Sequence, residues 1–177
     1  RKLEALPVDY TVKEREIHRK LQEFCASRET ADDKLGGVTG ASFVNQLLRK
    51  RLFSSPAAFA STLEKHVATL DNGRNGKART DLSERILLKA IQRAEEDYAN
   101  DADVEIAQQE AVEEATRHSR SLSAEERILL NELRHWAQQA MNQIDSKAKA
   151  LLAWIDRHLK TDGVWNGKRV ILFTEYR

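Results

Sequence analysis

The chain has 177 residues, 32% of them charged, yet a formal net charge of only +1, so it is not a polycation, and any contact with nucleic acid has to come from a local cluster. A single cysteine, Cys25, excludes a disulfide framework or a zinc ribbon within the chain; the expected compartment is the reducing cytoplasm. No apolar run approaches the ~18–20 residues of a membrane span, and scarce Pro and Gly amid abundant Ala, Leu, Glu, Arg, Lys and Gln predict long helices.

Residues 1–8 carry Leu6-Pro7, which disfavours helix before the proline, and read as an extended arm. Thr11 and Glu14 have capping-box spacing and open a helix to about Ser27, with Val12, Ile17, Leu21 and Phe24 on one stripe. Residues 28–40 read as a loop broken by Gly36, Gly37 and Gly40. The next helix, 41–53, places Phe43, Val44, Leu47, Leu48 and Leu52 on one side. Arg49, Lys50 and Arg51 sit near its C-terminal end, where cations complement the helix dipole. The same three are the candidates for contact with a nucleic-acid backbone.

Ser55 suits an N-cap and Pro56 the first helical position of a helix reaching about Leu70, with Phe59, Leu63, Val67 and Leu70 at helical spacing. Residues 71–80 are polar, basic and Gly-containing, and predict a surface loop. Asp81 with Glu84 caps a helix carrying Leu82, Ile86, Leu87, Ala90 and Ile91. Residues 100–118 are rich in Glu and Ala and poor in large apolar side chains. They are expected to face solvent, as part of a protruding hairpin over about 81–122.

Ser123 and Glu126 form the clearest capping box. They open a helix with Leu129, Leu133, Trp136, Ala140 and Ile144 at helical spacing. Asp145 caps the last helix, where Ala148, Leu151, Leu152, Ile155 and Leu159 form the expected buried face and Gly163 the stop. Turns at Asp162-Gly163 and Asn166-Gly167 then lead through Lys168-Arg169 to Val170-Ile171-Leu172-Phe173. A β-branched and aromatic run without alternation predicts a strand covered on both faces, as in a parallel sheet. Burying its four side chains is worth roughly 6–12 kcal/mol, close to the net stability of a domain, and the upstream sequence supplies almost no neighbouring strands. The expected fold is therefore mainly α: an antiparallel helical bundle with a short N-terminal arm, plus a C-terminal strand truncated from an α/β lobe of a larger protein.

Catalytic equipment is not visible in these residues. His18, His66, His118, His135 and His158 lie far apart without a second ligand at metal spacing, and read as surface or helix-end residues. The carboxylates alternate with Lys and Arg, as on solvated helix faces. A Gly-rich phosphate loop, an acidic Mg²⁺ box and a nucleophile elbow are all missing.

Three pieces, taken in order and spacing, resemble the Swi/Snf-type helicase-like ATPases of superfamily 2, especially bacterial members. LPVDYTVKEREIHRKLQEF is similar to the segment that follows the first motor lobe. LLRKRLFSSPAAFASTLEKH is similar to the helical stretch between the lobes, and DSKAKALLAWIDRHL followed by GKRVILFTEYR to the helix and first strand of the second, RecA-like lobe. The resemblance implies an arm from the first lobe over 1–8, an inter-lobe helical region over 9–144 and the opening of the second lobe over 145–177. It makes Asp145 and Lys147 the Asp-x-Lys before the opening helix, and Phe173-Thr174 the motif called IV. Thr174, Tyr176 and Arg177 then lie near the strand's carboxyl end, where such sheets gather ligands and where donors suit phosphate oxygens.

ATP and Mg²⁺ are implied for the longer enzyme only, since its nucleotide loop, acidic box and arginine finger are absent from these residues. The implied partner is nucleic acid, expected to be double-stranded DNA. A competing expectation is a regulatory or scaffolding helical module that binds another protein through the hairpin. A free-standing nucleic-acid binder is a third, and near-neutral charge speaks against it.

Overall fold

The computed structural model describes residues 5–33, 38–72, 81–96, 100–117 and 119–172. Among them the chain forms seven helices and one two-stranded hairpin: α1 (Val12–Asp33), α2 (Val38–Ser54), α3 (Pro56–Asp71), α4 (Asp81–Glu95), α5 (Asp101–Arg117), α6 (Ala124–Ala140), α7 (Ser146–Leu159), β1 (Lys160–Thr161) and β2 (Val164–Trp165). No described helix is long and apolar enough to cross a membrane.

Helices α1, α2, α3 and α6 pack in a closed ring, each against two others of the four. Their apolar stripes meet at the centre: Ile17, Leu21 and Phe24 of α1, Val44, Leu48 and Leu52 of α2, Phe59, Leu63 and Val67 of α3, and Leu130, Leu133 and Trp136 of α6. Spacing of three and four residues puts each set on one helix face, so burial of that face holds the ring together. Caps set where the helices start. The Ser55 hydroxyl accepts from the Ala58 amide and Pro56 occupies the first turn of α3. Ser123 and Glu126 form a complete capping box on α6, and Thr11 and Glu14 exchange the same bonds at the start of α1.

Several expected boundaries shift. α1 runs past Ser27 to Asp33, because Arg28 is not a loop residue: it is buried, with its guanidinium 3.8 Å from Glu126 of α6. Val12, expected on the core stripe, lies exposed in the first turn. α2 begins at Val38, so Gly40 is helical and breaks nothing. A Cβ at Gly40 would sit 3.2 Å from the Ala115 carbonyl oxygen, so glycine is what allows α2 and α5 to approach this closely. α6 ends at Ala140, leaving Ile144 exposed. The loop expected over 71–80 lies beyond residue 72 outside the described residues, and so do the side chains of Leu82 and of the Asp81–Glu84 cap.

The largest correction concerns α5, which neither faces solvent nor protrudes. It packs against α2, α3 and α4, and buries Ala107, Ala111, Val112, Ala115 and Thr116. The alanines recur every four residues, so the face is small-residued rather than polar, and it packs by close backbone approach. Within the α4–α5 pair it is α4 that lies outermost, with Leu87 buried and Ile86 and Leu88 exposed.

α7 departs from expectation in the opposite sense. Of its expected buried face only Leu159 is enclosed; Ala148, Leu151 and Ile155 are half-buried and Leu152 is exposed. The helix stops before Gly163, which instead forms the hairpin turn with Asp162. Both have positive φ, 78° and 51°, as a two-residue I′ turn requires. Lys160 pairs with Trp165 and Thr161 with Val164 across the antiparallel strands. Beyond the hairpin, Val170, Ile171 and Leu172 are exposed and carry no strand pairing among the described residues; Phe173 lies outside them.

Candidate functional site

At one end of the ring the starts of α1 and α7 meet the α2–α3 corner. Glu14, third residue into α1, accepts from the Thr11 amide and hydroxyl, both at 2.7 Å. The same carboxylate accepts from the Ser146 amide at 3.0 Å and the Ser146 hydroxyl at 2.5 Å. One side chain therefore closes the N-terminal turns of two helices, where free N–H groups and the helix dipole both favour an anion. Partial burial alone would raise the pKa of Glu14, but the hydrogen bonds from Ser146 and Thr11 outweigh it and hold the carboxyl down at about 2.

α7 returns a cap of its own. The Lys147 ammonium donates to the carbonyls of Phe53 and Ser54, at the C-terminal end of α2, where carbonyls have no helical partner. Asp145 accepts from the Ala148 amide at 2.7 Å and starts α7. Around these bonds the His18 ring lies 4.6 Å from Phe53 and 5.7 Å from Tyr10, centroid to centroid. Burial depresses the His18 pKa, against the pull of Glu14, and raises that of Tyr10 with help from Asp145 and Glu14. Residues 10–18, 53–55 and 145–147, remote in sequence, thus form one polar junction.

The basic triplet of α2 does not present a common face. Arg51 is only 3% exposed and turns inward to Glu105 and Gln108 of α5. Arg49 is half-buried and pairs with Glu29 at 3.2 Å, and Lys50 is exposed. Thr174, Tyr176 and Arg177 lie outside the described residues.

The histidines also scatter. His66 is no surface residue: it is buried between Phe24 and Thr116, with Nδ1 2.7 Å from the Thr116 hydroxyl. That hydroxyl donates to the Val112 carbonyl, so Nδ1 carries the proton. Burial, reinforced by the charge of Arg28, pushes the His66 pKa down to about 3. His135 is exposed, His158 stacks on Trp154, and His118 lies outside the described residues.

Sequence reasoning missed the most concentrated polar cluster. Glu126 is 1% exposed and accepts from Ser27 at 2.7 Å, from the Ser123 amide at 2.9 Å and from Arg120, with Arg28 close by. Its role in the capping box was legible, but its burial was not, because a capping glutamate normally faces water. No protein-family model, curated protein or solved structure matches the chain at a significant level.

Proposed function

We propose that this chain is the helical region between the two motor lobes of a bacterial, DNA-dependent ATPase or translocase of the Swi/Snf-like kind, with residues from Asp145 onward opening the second lobe. The observation that carries the reading is the junction. The three segments that resemble the family separately are the ones that Glu14, Lys147, Phe53 and Ser146 bind together at one end of the ring. A linker that fixes the second lobe relative to the first needs such a joint, and α7, with its half-covered apolar face, is the element to which further lobe structure would attach. Nucleotide and Mg²⁺ would be held elsewhere in the longer enzyme. Within the linker, the proposed contacts to a DNA backbone are Lys50, which is exposed, and Arg49, which would exchange Glu29 for a phosphate, while Arg51 serves the α2–α5 contact.

The test is ATP hydrolysis by the full-length gene product with and without double-stranded DNA. Wild-type protein is expected to be DNA-stimulated. Lys147→Ala should cut the stimulated rate about tenfold while leaving basal hydrolysis intact, and an absence of hydrolysis, or a Lys147→Ala enzyme with full stimulation, sinks the reading.

A second reading, a scaffolding module, is favoured by one observation: Ile86 and Leu88 on α4 and Ile106 on α5 are exposed. Charge substitution at Ile86 and Leu88 separates the two, since it would abolish capture of a protein partner and leave ATP hydrolysis untouched.

A further inference from the structure

The hairpin after α7 carries an exposed tryptophan that nothing in the junction uses. Trp165 is 64% exposed, next to Val164 at 69%. An indole left in water on a two-residue strand is held there for a reason of geometry, because the hairpin is fixed to α7 at several points. The Asn166 amide donates to the Leu159 carbonyl at 2.8 Å and its side chain to the His158 carbonyl at 3.1 Å, so Asn166 closes the open C-terminal end of the helix. The Lys168 amide donates to Asn166 Oδ1 at 3.0 Å, which fixes the chain as it leaves the strand. The ring is thus presented on a braced support rather than on a loose loop.

One face of that ring is already occupied. The Lys160 ammonium lies 4.9 Å from its centroid and is steered by Asp156 at 2.6 Å. At 64% exposure the rest of the ring has no aromatic or cation contact among the described residues. Among the described residues, Arg157 in the last turn of α7 and Lys168 and Arg169 just past the strand are exposed and have no carboxylate partner. The acidic side chains of this stretch are Asp156, engaged by Lys160, and Asp162 in the hairpin turn, so between residues 156 and 172 cations outnumber carboxylates four to two. An aromatic platform in a stretch with an excess of exposed cations matches a ligand that offers π faces and phosphates in alternation. A protein surface complementary to Val164 and Trp165 alone would not call for the three cations.

We propose that Trp165 is a stacking platform for an unpaired nucleobase of single-stranded nucleic acid, with Arg157, Lys168 and Arg169 holding the flanking phosphates. The site goes beyond the linker reading, needs neither motor lobe nor ATP, and resolves how a chain of near-neutral charge could contact nucleic acid through one local cluster. Base-paired DNA keeps its bases stacked on one another, so the platform selects single strands.

The 177-residue chain, titrated into a labelled oligothymidylate of about twelve residues at low salt, provides the test by fluorescence anisotropy. Stacking on one ring predicts that Trp165→Leu weakens binding roughly tenfold, while Trp165→Phe retains most of it. Lys168→Ala with Arg169→Ala should flatten the log–log salt dependence by about 1.4, the contribution of two single-strand phosphates. Far-UV circular dichroism of Trp165→Leu should match wild type, since the side chain packs on no core residue. Equal affinity of Trp165→Leu and wild type for the single strand, a Trp165→Leu change that weakens binding of a duplex of the same length as much as that of the single strand, or binding to anionic phospholipid vesicles in place of the oligonucleotide would each overturn the assignment. The motor reading stands or falls separately, on ATP hydrolysis.

Discussion

Glu126 shows how one side chain can serve two roles that a sequence displays as one. Its carboxylate completes the α6 capping box from inside the bundle, and it also gathers Arg120, Ser27 and Arg28 from the α5–α6 connection and α1. Burial alone would raise its pKa, but hydrogen bonds from Arg120, Ser123 and Ser27, with the charge of Arg28, keep it below the usual carboxylate range. Removing the carboxylate leaves the Arg28 guanidinium charged and buried beside a partly covered Arg120, which costs about 3–5 kcal/mol. Glu126→Ala should therefore lose that much in urea unfolding. Glu126→Gln, which keeps acceptor geometry on one atom, should lose less. A surface cap in the same motif would cost only about 1 kcal/mol on truncation, so the measurement decides whether burial or capping dominates.

At the level of elements, the legible parts were those where a local rule speaks alone. Ser55-Pro56, Ser123 with Glu126, and Thr11 with Glu14 mark helix starts through hydrogen bonds within four residues, and the Phe59–Leu63–Val67–Leu70 stripe marks a face through large side chains. α5 was illegible for a physical reason: its buried face is built from Ala107, Ala111 and Ala115, whose small area gives little apolar signal but whose small volume permits close packing. Gly40 was misread for the same reason, since a glycine that admits a neighbouring backbone looks in sequence like one that breaks a helix. Burial of Arg28, at the start of an expected loop, and of Arg51, in the expected basic triplet, is not legible in the sequence because charge normally stays in water, and only tertiary partners can overrule that. Amphipathicity showed which face of α7 seeks cover but not whether this chain covers it. Gly40→Leu tests the α2–α5 contact. Helix propensity favours the substitution by about 1 kcal/mol, yet the side chain would meet the Ala115 backbone. A fall in thermal midpoint is expected despite the gain in propensity, reflecting overpacking of about 1–3 kcal/mol; a rise would mean that the helices separate freely.

For the molecule as a whole, acid is the expected weakness, and His66 is the reason. In the folded chain it stays neutral down to about pH 3, whereas an unfolded histidine takes up a proton near pH 6.5. A depressed pKa contributes stability that is fully present above the unfolded value and lost as pH falls toward the folded one. Unfolding free energy should thus decline below pH 6.5 by up to about 1.4 kcal/mol per pH unit from this residue. Glu14 adds to the loss only below its own unfolded value of 4.5, down to about pH 2. Urea titrations at pH 7 and pH 5 read the histidine contributions, and His66→Phe should shrink the difference between them, leaving the smaller part that belongs to His18.

The junction also determines how the molecule bears load. A pull on the chain beyond Leu159 travels down α7 and arrives not at the apolar centre but at two backbone-anchored moorings, the first turn of α1 through Glu14 and the last turn of α2 through Lys147. Those moorings lie on the ends of helices whose middles are clamped in the ring, so traction on the tail becomes a tug along two stiff rods. Because α1 and α2 pack side by side with α3 and α6, such a tug loads the apolar faces of the ring in shear, and the four helices resist it together.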